Sequence, residues 1–313
     1  MRKIVGIGET VLDIIFKDGQ PVSAVPGGST FNAVISLGRS GIPTMFISEA
    51  GNDRIGKHIV SFLNENHVNA DNVVSFPESK SPISLAFLDH ENSADYIFYK
   101  DHPHDRLEFS YPEINSDDIV LFGSYFAVNP VVRPQVAGFL DYARERGAII
   151  YYDVNFRSSH KDDIMRITPN LLENLDDADI VRGSSIDFEV LYKMPDPDKV
   201  YNAEISFYCK NFICTNESNP VVVRAENHFR KVYPSMATKT VSTIGAGDNF
   251  NAGFLFGLLK YGITRDDILH GLTEKQWDQI LQCAQLYSSE SCKYISNYIS
   301  EKFGEKMKSE LKE

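Results

Sequence analysis

Short, wholly apolar runs alternate along this chain with longer stretches in which apolar residues recur every three to four positions. Ile4–Ile7, Met45–Ile47, Ile119–Phe122, Ile149–Tyr152, Asp179–Val181, Phe212–Cys214 and Val221–Val223 are the short runs, and each predicts a buried strand. Phe31–Ser40, Ile55–Asn66, Val131–Arg146 and Asp248–Lys260 have helical spacing. Such alternation predicts βαβ units and a mainly parallel sheet covered by helices on both faces, a three-layer αβα domain. Right-handed crossovers would put ligands at the carboxyl ends of the strands.

Two segments break the rhythm. Leu12–Phe16 and Val22–Val25 flank Lys17-Asp18-Gly19-Gln20, where Asp-Gly signals a tight hairpin. Ile83–Leu88 and Tyr96–Tyr99 flank His90–Ala94 in the same manner. Neither fits a crossover helix, so residues 12–25 and 83–100 are expected to form one small sheet standing off the main domain as a lid. A homodimer through that lid is an arrangement the pattern allows. The tail from Tyr294 to Glu313 is expected to be helical, with Phe303, Met307 and Leu311 as a narrow apolar stripe that packs on the surface. No repeat or low-complexity linker divides residues 1–313, which are read as a single domain with its lid.

Composition narrows the function. The chain has 313 residues, 42% hydrophobic and 24% charged, as expected of a globular enzyme. With 31 Lys+Arg against 43 Asp+Glu the net charge is -12, which argues against sequence-independent nucleic-acid binding. Cys209, Cys214, Cys283 and Cys292 form no C-x-x-C pair and are expected to be buried thiols of a reducing compartment. Gly8, Glu9 and Asp13 interrupt the first apolar stretch before a signal-peptide core forms, and no run reaches membrane-spanning length. A cytoplasmic protein is expected.

The most informative stretch is Ser242-Thr243-Ile244-Gly245-Ala246-Gly247-Asp248-Asn249-Phe250-Asn251-Ala252-Gly253. It follows a strand-like Lys239–Val241 and opens a helix. Three residues with almost no side chain at a helix start offer free N–H groups and the positive end of the dipole, a cradle for phosphate charge. It is not a Walker loop, because the Gly-Lys-Ser/Thr ending is missing. Asp248 beside such a cradle repels phosphate unless it has another task, and accepting a proton from an attacking hydroxyl is one. Capping the helix is the other.

This stretch resembles the carboxyl-terminal signature of the ribokinase-like (PfkB) carbohydrate kinases. Pro26-Gly27-Gly28-Ser29-Thr30-Phe31-Asn32-Ala33 resembles the family's amino-terminal signature. Gly51-Asn52-Asp53-Arg54-Ile55-Gly56, Phe122-Gly123-Ser124 and Asp153-Val154-Asn155-Phe156-Arg157 are similar to motifs between the two, in family order. Gly8-Glu9-Thr10-Val11-Leu12-Asp13 is similar to the fructokinase and 2-keto-3-deoxygluconate kinase branch. The resemblance implies ATP-dependent phosphorylation of a primary hydroxyl of a small sugar, fructose first. Ketodeoxygluconate, a nucleoside, or a catalytically weakened sugar-binding regulatory protein are the alternatives. It implies Asp248 as base, with Gly245, Ala246 and Gly247 as anion hole. Sugar contacts are implied for Asp13, Gly28, Asn32, Asn155 and Arg157, and cofactor contacts for Ser184, Asp187, Thr215 and Asn216. Asp53 and Gly56 fit a turn and helix cap. Alternation would put Asp153, Asn155 and Arg157 on one face. Arg157 suits a phosphoryl group or a substrate carboxylate, with a salt bridge to Asp153 as the structural alternative.

Several positions depart from the family. Ser184-Ser185-Ile186-Asp187 stands for Asn-x-x-Glu, which organises Mg²⁺. Thr215-Asn216-Glu217-Ser218-Asn219-Pro220 lacks both glycines of the adenine-side loop, and Glu217 adds charge there. Ser242 replaces an Asp that helps hold a monovalent cation, making such an ion doubtful, and Gln285-Leu286-Tyr287 replaces small residues near the nucleotide.

Overall fold

The computed structural model describes residues 2–89, 94–100, 107–216, 219–226, 228–236 and 240–311, leaving aside the side chains of Ala94 and Asn219. The first half runs β1 (Ile4–Ile7), β2 (Val11–Lys17), β3 (Gln20–Gly27), α1 (Ser29–Arg39), β4 (Thr44–Gly51), α2 (Arg54–Glu65), β5 (Val68–Phe76), β6 (Ile83–Leu88) and β7 (Ala94–Tyr99). Then come β8 (Ile119–Gly123), α3 (Ser124–Val128), α4 (Arg133–Glu145), β9 (Ile149–Asp153), α5 (Ile164–Asp177), β10 (Ile180–Ser184), α6 (Ser185–Tyr192) and α7 (Pro197–Val200). The last part holds β11 (Asn211–Asn216), β12 (Asn219–Arg224), β13 (Arg230–Tyr233), α8 (Ala246–Lys260), α9 (Arg265–His270), α10 (Glu274–Ser291) and α11 (Glu301–Glu310).

Nine strands form the main sheet in the order β13-β12-β11-β10-β9-β8-β1-β4-β5. It is parallel from β5 through β11, and β12 then pairs antiparallel with both β11 and β13. Its central strands bury both faces, which is why they read as unbroken apolar runs. Val120, Phe122, Ile150 and Tyr152 pack with residues of α4, α5 and α6, whereas Ile119, Leu121, Ile149 and Tyr151 pack with α8 and α10. All seven predicted runs fall on strands, Asp179 lying one residue before β10.

The second sheet has the order β3-β2-β6-β7. Asp18 and Gly19 both have positive φ, 51° and 74°, the two-residue turn that Asp-Gly favours. The hairpins join through a parallel β2–β6 pairing, so the expected lid is one sheet. Of the second hairpin's connection, His90–Ser93 lies outside the described residues.

Three expectations need correction. Among the described residues no strand leads directly into α8: Lys239 lies outside them, and the Val241 and Ser242 N–H groups bond to the Cys292 carbonyl instead of a strand partner. Among the described residues the tail is helical over α11 alone. Residues before it are irregular because Asn297 and Ile299 bond to Asn249 and Ser36, and Ser300 caps the new helix. Asp153, Asn155 and Arg157 do not share a face, since β9 ends at Asp153 and Asn155 turns the chain with φ 33°. The tail stripe does pack as expected, with Met307 buried and Phe303 and Leu311 against the same core. All four cysteines are free and buried. Among the described residues, no helix is long and apolar enough to cross a membrane.

Candidate active site

The lid's inner face lies over the carboxyl ends of β1, β8 and β9, and between them is a pocket. Glu9, Val11 and Asp13 enter from the β1–β2 passage, and Gly28, Ser29 and Asn32 from the start of α1. Tyr96 and Phe98 come from β7, Asn155, Arg157 and His160 from the segment after β9, and Asp248 from the first turn of α8. The six residues expected to touch sugar or act as base therefore meet in one place.

Gly28 explains why the passage needs glycine. Its φ is 129°, and a Cβ there would collide with the Glu9 carbonyl. The two ends of the β2–β3 hairpin are thus pinched together at the pocket. Asp53 secures the other arm: it caps α2 through the Gly56 N–H and accepts from the Ser81 N–H and hydroxyl at 2.8 Å each, two residues before β6.

The pocket's acids sit in different environments. Asp248 is 9% exposed and accepts from Asn32 Nδ2 at 2.8 Å. Burial raises its pKa to about 6, with Asn32 pulling down, Asp153 pushing up, and Arg157 and Ser29 pulling down. Asp13 accepts from Ser84 of the lid and from Asn297 Nδ2, yet burial still pushes it up to about 6. Glu9 goes the other way. Burial would raise it, but the ion pair with Lys100 wins and holds it below the usual carboxylate range.

Arg157 lies over the Tyr96 ring, 4.1 Å from its centroid, and among the described residues no carboxylate pairs directly with it. Burial would lower its pKa, but Tyr96, Asp248, Asp13 and Glu9 together raise it, so it stays a cation. The alternative role for Arg157, a bridge to Asp153, is not formed; Arg182 holds Asp153, at 3.0 Å. Gly245, Ala246 and Gly247 form the turn into α8 directly before Asp248, Gly245 in the left-handed region with φ 73°.

The remaining predicted residues lie outside this pocket, at the ends of β10 and β11. Ser184 and Asp187 form a reciprocal cap on α6, and Asp187 also accepts from the Phe156 N–H at 2.9 Å. Burial raises Asp187 to about 6. The Thr215 hydroxyl accepts from Arg182 Nη2 at 2.6 Å, and Asn216 pairs with Asn219 in the β11–β12 ladder. Glu217 and Ser218 lie outside the described residues. Gln285 donates to the Pro234 carbonyl, and Tyr287 is buried against Ser40. Ser242 is buried, its hydroxyl taking the Ile244 N–H.

The sequence pattern of the pfkB family carbohydrate kinases matches residues 1–302. The chain belongs to this family. As a pfkB carbohydrate kinase it is 26% identical over 247 residues to a 5-dehydro-2-deoxygluconokinase of Geobacillus thermodenitrificans, covering 74% of this chain and 72% of that one. It is 25% identical over 278 residues to the probable fructokinase-5 of Arabidopsis thaliana, covering 84% and 85%. Among solved structures, a Vibrio cholerae fructokinase with fructose, ADP and calcium ion superposes with a TM-score of 0.80 at 17% identity, covering 94% of both chains. The Salmonella enterica aminoimidazole riboside kinase, complexed with its riboside and an ATP analog, gives 0.79 at 18% identity over 99% of this chain and 100% of that one. These structural likenesses establish the ribokinase-type fold of this kinase.

Sequence reasoning missed Glu9, Tyr96, Phe98, His160 and Arg182 as parts of this kinase's site. Period two could have found the first three, since Glu9 and Val11 share a face with Asp13, and Tyr96 and Phe98 with Lys100. His160 comes from an irregular segment and carried no such signal. Arg182 was visible as a charge inside an apolar strand.

Proposed function

We propose that this kinase transfers the γ-phosphoryl group of ATP to a primary hydroxyl of a small sugar, with fructose the first choice. The observation that carries the reading is the buried Asp248 carboxylate at the pocket floor, next to the small-residue turn that starts α8. Asp248 takes the hydroxyl proton, the freed oxygen attacks phosphorus, and ADP leaves. The N–H groups of the Gly245–Gly247 turn receive the charge of the transferring group. Asp13, Asn32 and Asn155 offer acceptors and donors suited to a polyol, and the Gly28 backbone lets it approach. Closing the lid limits water and wasteful hydrolysis.

Among the described residues no group of three His, Cys, Asp or Glu is arranged to hold a metal. Mg²⁺ therefore fits this site as a companion of the nucleotide phosphates, where it would offset their charge, rather than as an ion in a protein cage. Ser184, Asp187, Thr215 and Asn216 remain the nucleotide-side candidates.

A sugar acid such as ketodeoxygluconate is the second reading, favoured by Arg157, whose guanidinium faces the pocket with no direct carboxylate partner among the described residues. A phosphorylation screen over ketoses, aldoses, ketodeoxygluconate and nucleosides separates the two. Transfer to none of them, in a preparation that binds sugar, would favour a regulatory binding protein. The lid's outer face exposes Val22, Phe87, Ile97 and Tyr99. This supports a homodimer of two lids, which sedentation-equilibrium masses of wild type and Ile97→Asp would test.

A further inference from the structure

A buried cation lies beneath the anion-hole turn. Arg182, in the interior strand β10, is 6% exposed. Its Nη1 donates to Asp153 Oδ1 at 3.0 Å and its Nη2 to the Thr215 hydroxyl at 2.6 Å, while its Nε has no hydrogen-bond partner. The guanidinium nitrogens would lie 3.0 and 3.2 Å from a Cβ on Gly247. A side chain at position 247 would therefore press on the arginine under it, which would have to give by a few tenths of an ångström. The far side of Asp153 is also engaged: Asn251 Nδ2 donates to Oδ2 at 2.7 Å, and the Tyr151 hydroxyl donates to Asn251 Oδ1 at 3.0 Å. Asn251 stands one turn after Asp248 on α8. One chain of contacts thus links β11, β10, β9 and the first two turns of α8.

We propose that Arg182 is a positioning residue that, by neutralising Asp153, sets the proton affinity of Asp248 and anchors the anion-hole turn to the end of β11. This rests on the assignment of Asp248 as the base. The groups facing Asp248 are Ser29 and Asn32 from α1, Asp153 from β9, Arg157 from the segment after it and Tyr96 from β7. Those facing Arg182 are Asp153 and Tyr151 from β9 and Asp187 from α6. Only Asp153 touches both sets as a charge. Removing Arg182 leaves Asp153 uncompensated and must raise the proton affinity of Asp248. Removing the Asp153 charge leaves Arg182 uncompensated and must lower it. A residue that merely filled space would not produce shifts of opposite sign.

The test is to titrate the Asp248 carboxyl by ¹³C NMR in aspartate-labelled full-length protein, assigned with Asp248→Asn. Arg182→Met should move the midpoint up by about one pH unit, Asp153→Asn should move it down, and Arg182→Lys should stay near wild type. Either Arg182→Met or Asp153→Asn suffices if it folds, because each has its own predicted sign. An unmoved midpoint in folded Arg182→Met or Asp153→Asn, or shifts in one direction for both, overturns the proposal. The pH profile of kcat/KM separates this from the assignment beneath it. If the NMR midpoint moves and the acid limb of activity does not, Asp248 is coupled to Arg182 but is not the base. If wild type phosphorylates sugar and the midpoint is unmoved, the kinase reading stands and the coupling fails.

Discussion

The lid pocket and the ends of β10 and β11 sit at the same edge of one sheet, yet they use their polar groups in opposite ways. In the pocket, Asp248 and Asp13 are buried acids lifted to about 6, and Arg157 lies on the Tyr96 ring with no direct carboxylate partner among the described residues. At the β10–β11 end Asp187 is likewise a buried acid raised to about 6, but among the described residues the polar groups there bond mainly to one another, Arg182 Nε excepted. Ser184 and Asp187 satisfy one another and Phe156, and Thr215 is held by Arg182. A poised site keeps costly groups free for a ligand, whereas a saturated one contributes shape and backbone. The proposed sugar side is thus the chemically specific half, and the nucleotide side is the half most open to sequence change.

The largest expected effect strikes the poised half. Asp248→Asn should retain sugar binding by calorimetry and lower turnover by about 10²-fold or more, the scale of general-base catalysis. In wild type, kcat/KM should fall as pH drops below about 6, where Asp248 takes up its proton. Near-wild-type turnover in the variant would dissolve the contrast.

Asp13→Asn should raise the KM for sugar about tenfold, the weight of one hydrogen bond to a charge, and leave that for ATP unchanged. Equal changes in both would show that the two halves are not separable. On the other side, Glu217→Gly should lower the KM for ATP a few-fold, less so at high salt, because screening weakens a repulsive carboxylate. Glu217 lies outside the described residues, so this prediction rests on the sequence.

Stability gives a further test. The folded pKa of Asp248 is above its unfolded value of 3.8, so the folded chain binds the proton more tightly. The cost of the charge grows as pH rises from about 4 to 6 and is complete above that. Asp248→Asn should therefore raise the melting temperature by a few degrees at pH 7.5 and less at pH 5. The smallest effect concerns K⁺. Ser242 supplies no carboxylate, and replacing Na⁺ by K⁺ at equal ionic strength should change turnover less than twofold. A large saturable K⁺ requirement would mean that backbone carbonyls suffice to hold the ion.

The strands themselves, though not their order in the sheet, were legible wherever burial was two-sided, because a strand covered on both faces has little choice of residue. β5 escaped notice because Val68 and Ala70 alternate with exposed Asn69 and Asp71, which breaks the apolar run. Pro169 inside α5 hid a helix whose Ile167, Leu171 and Leu175 face the core. In the site, Gly28, Asn32 and Asp248 stood beside glycines or helix starts and were readable, whereas Asp13 was marked only by the family resemblance. Arg157 lines the pocket as expected, but alternation wrongly gave it a face shared with Asp153, since nothing local announced that Asn155 would turn the chain. Asn297, which holds Asp13 from nearly three hundred residues away, carried no local mark at all.

The pinch between Glu9 and Gly28 has an evolutionary consequence. Residues 11–27 leave and rejoin the main domain at nearly the same point, and Asp53 fixes where the second arm departs. Such a segment can be exchanged between relatives like a cassette, because its two ends already match the same short gap. The cassette carries Val11 and Asp13, and the second arm carries Tyr96 and Phe98, while Asp248 and its turn stay behind. On the proposed reading, the lid's share of the sugar contacts can change without moving Asp248 or its turn, while Asn32, Asn155 and Arg157 stay with the main domain.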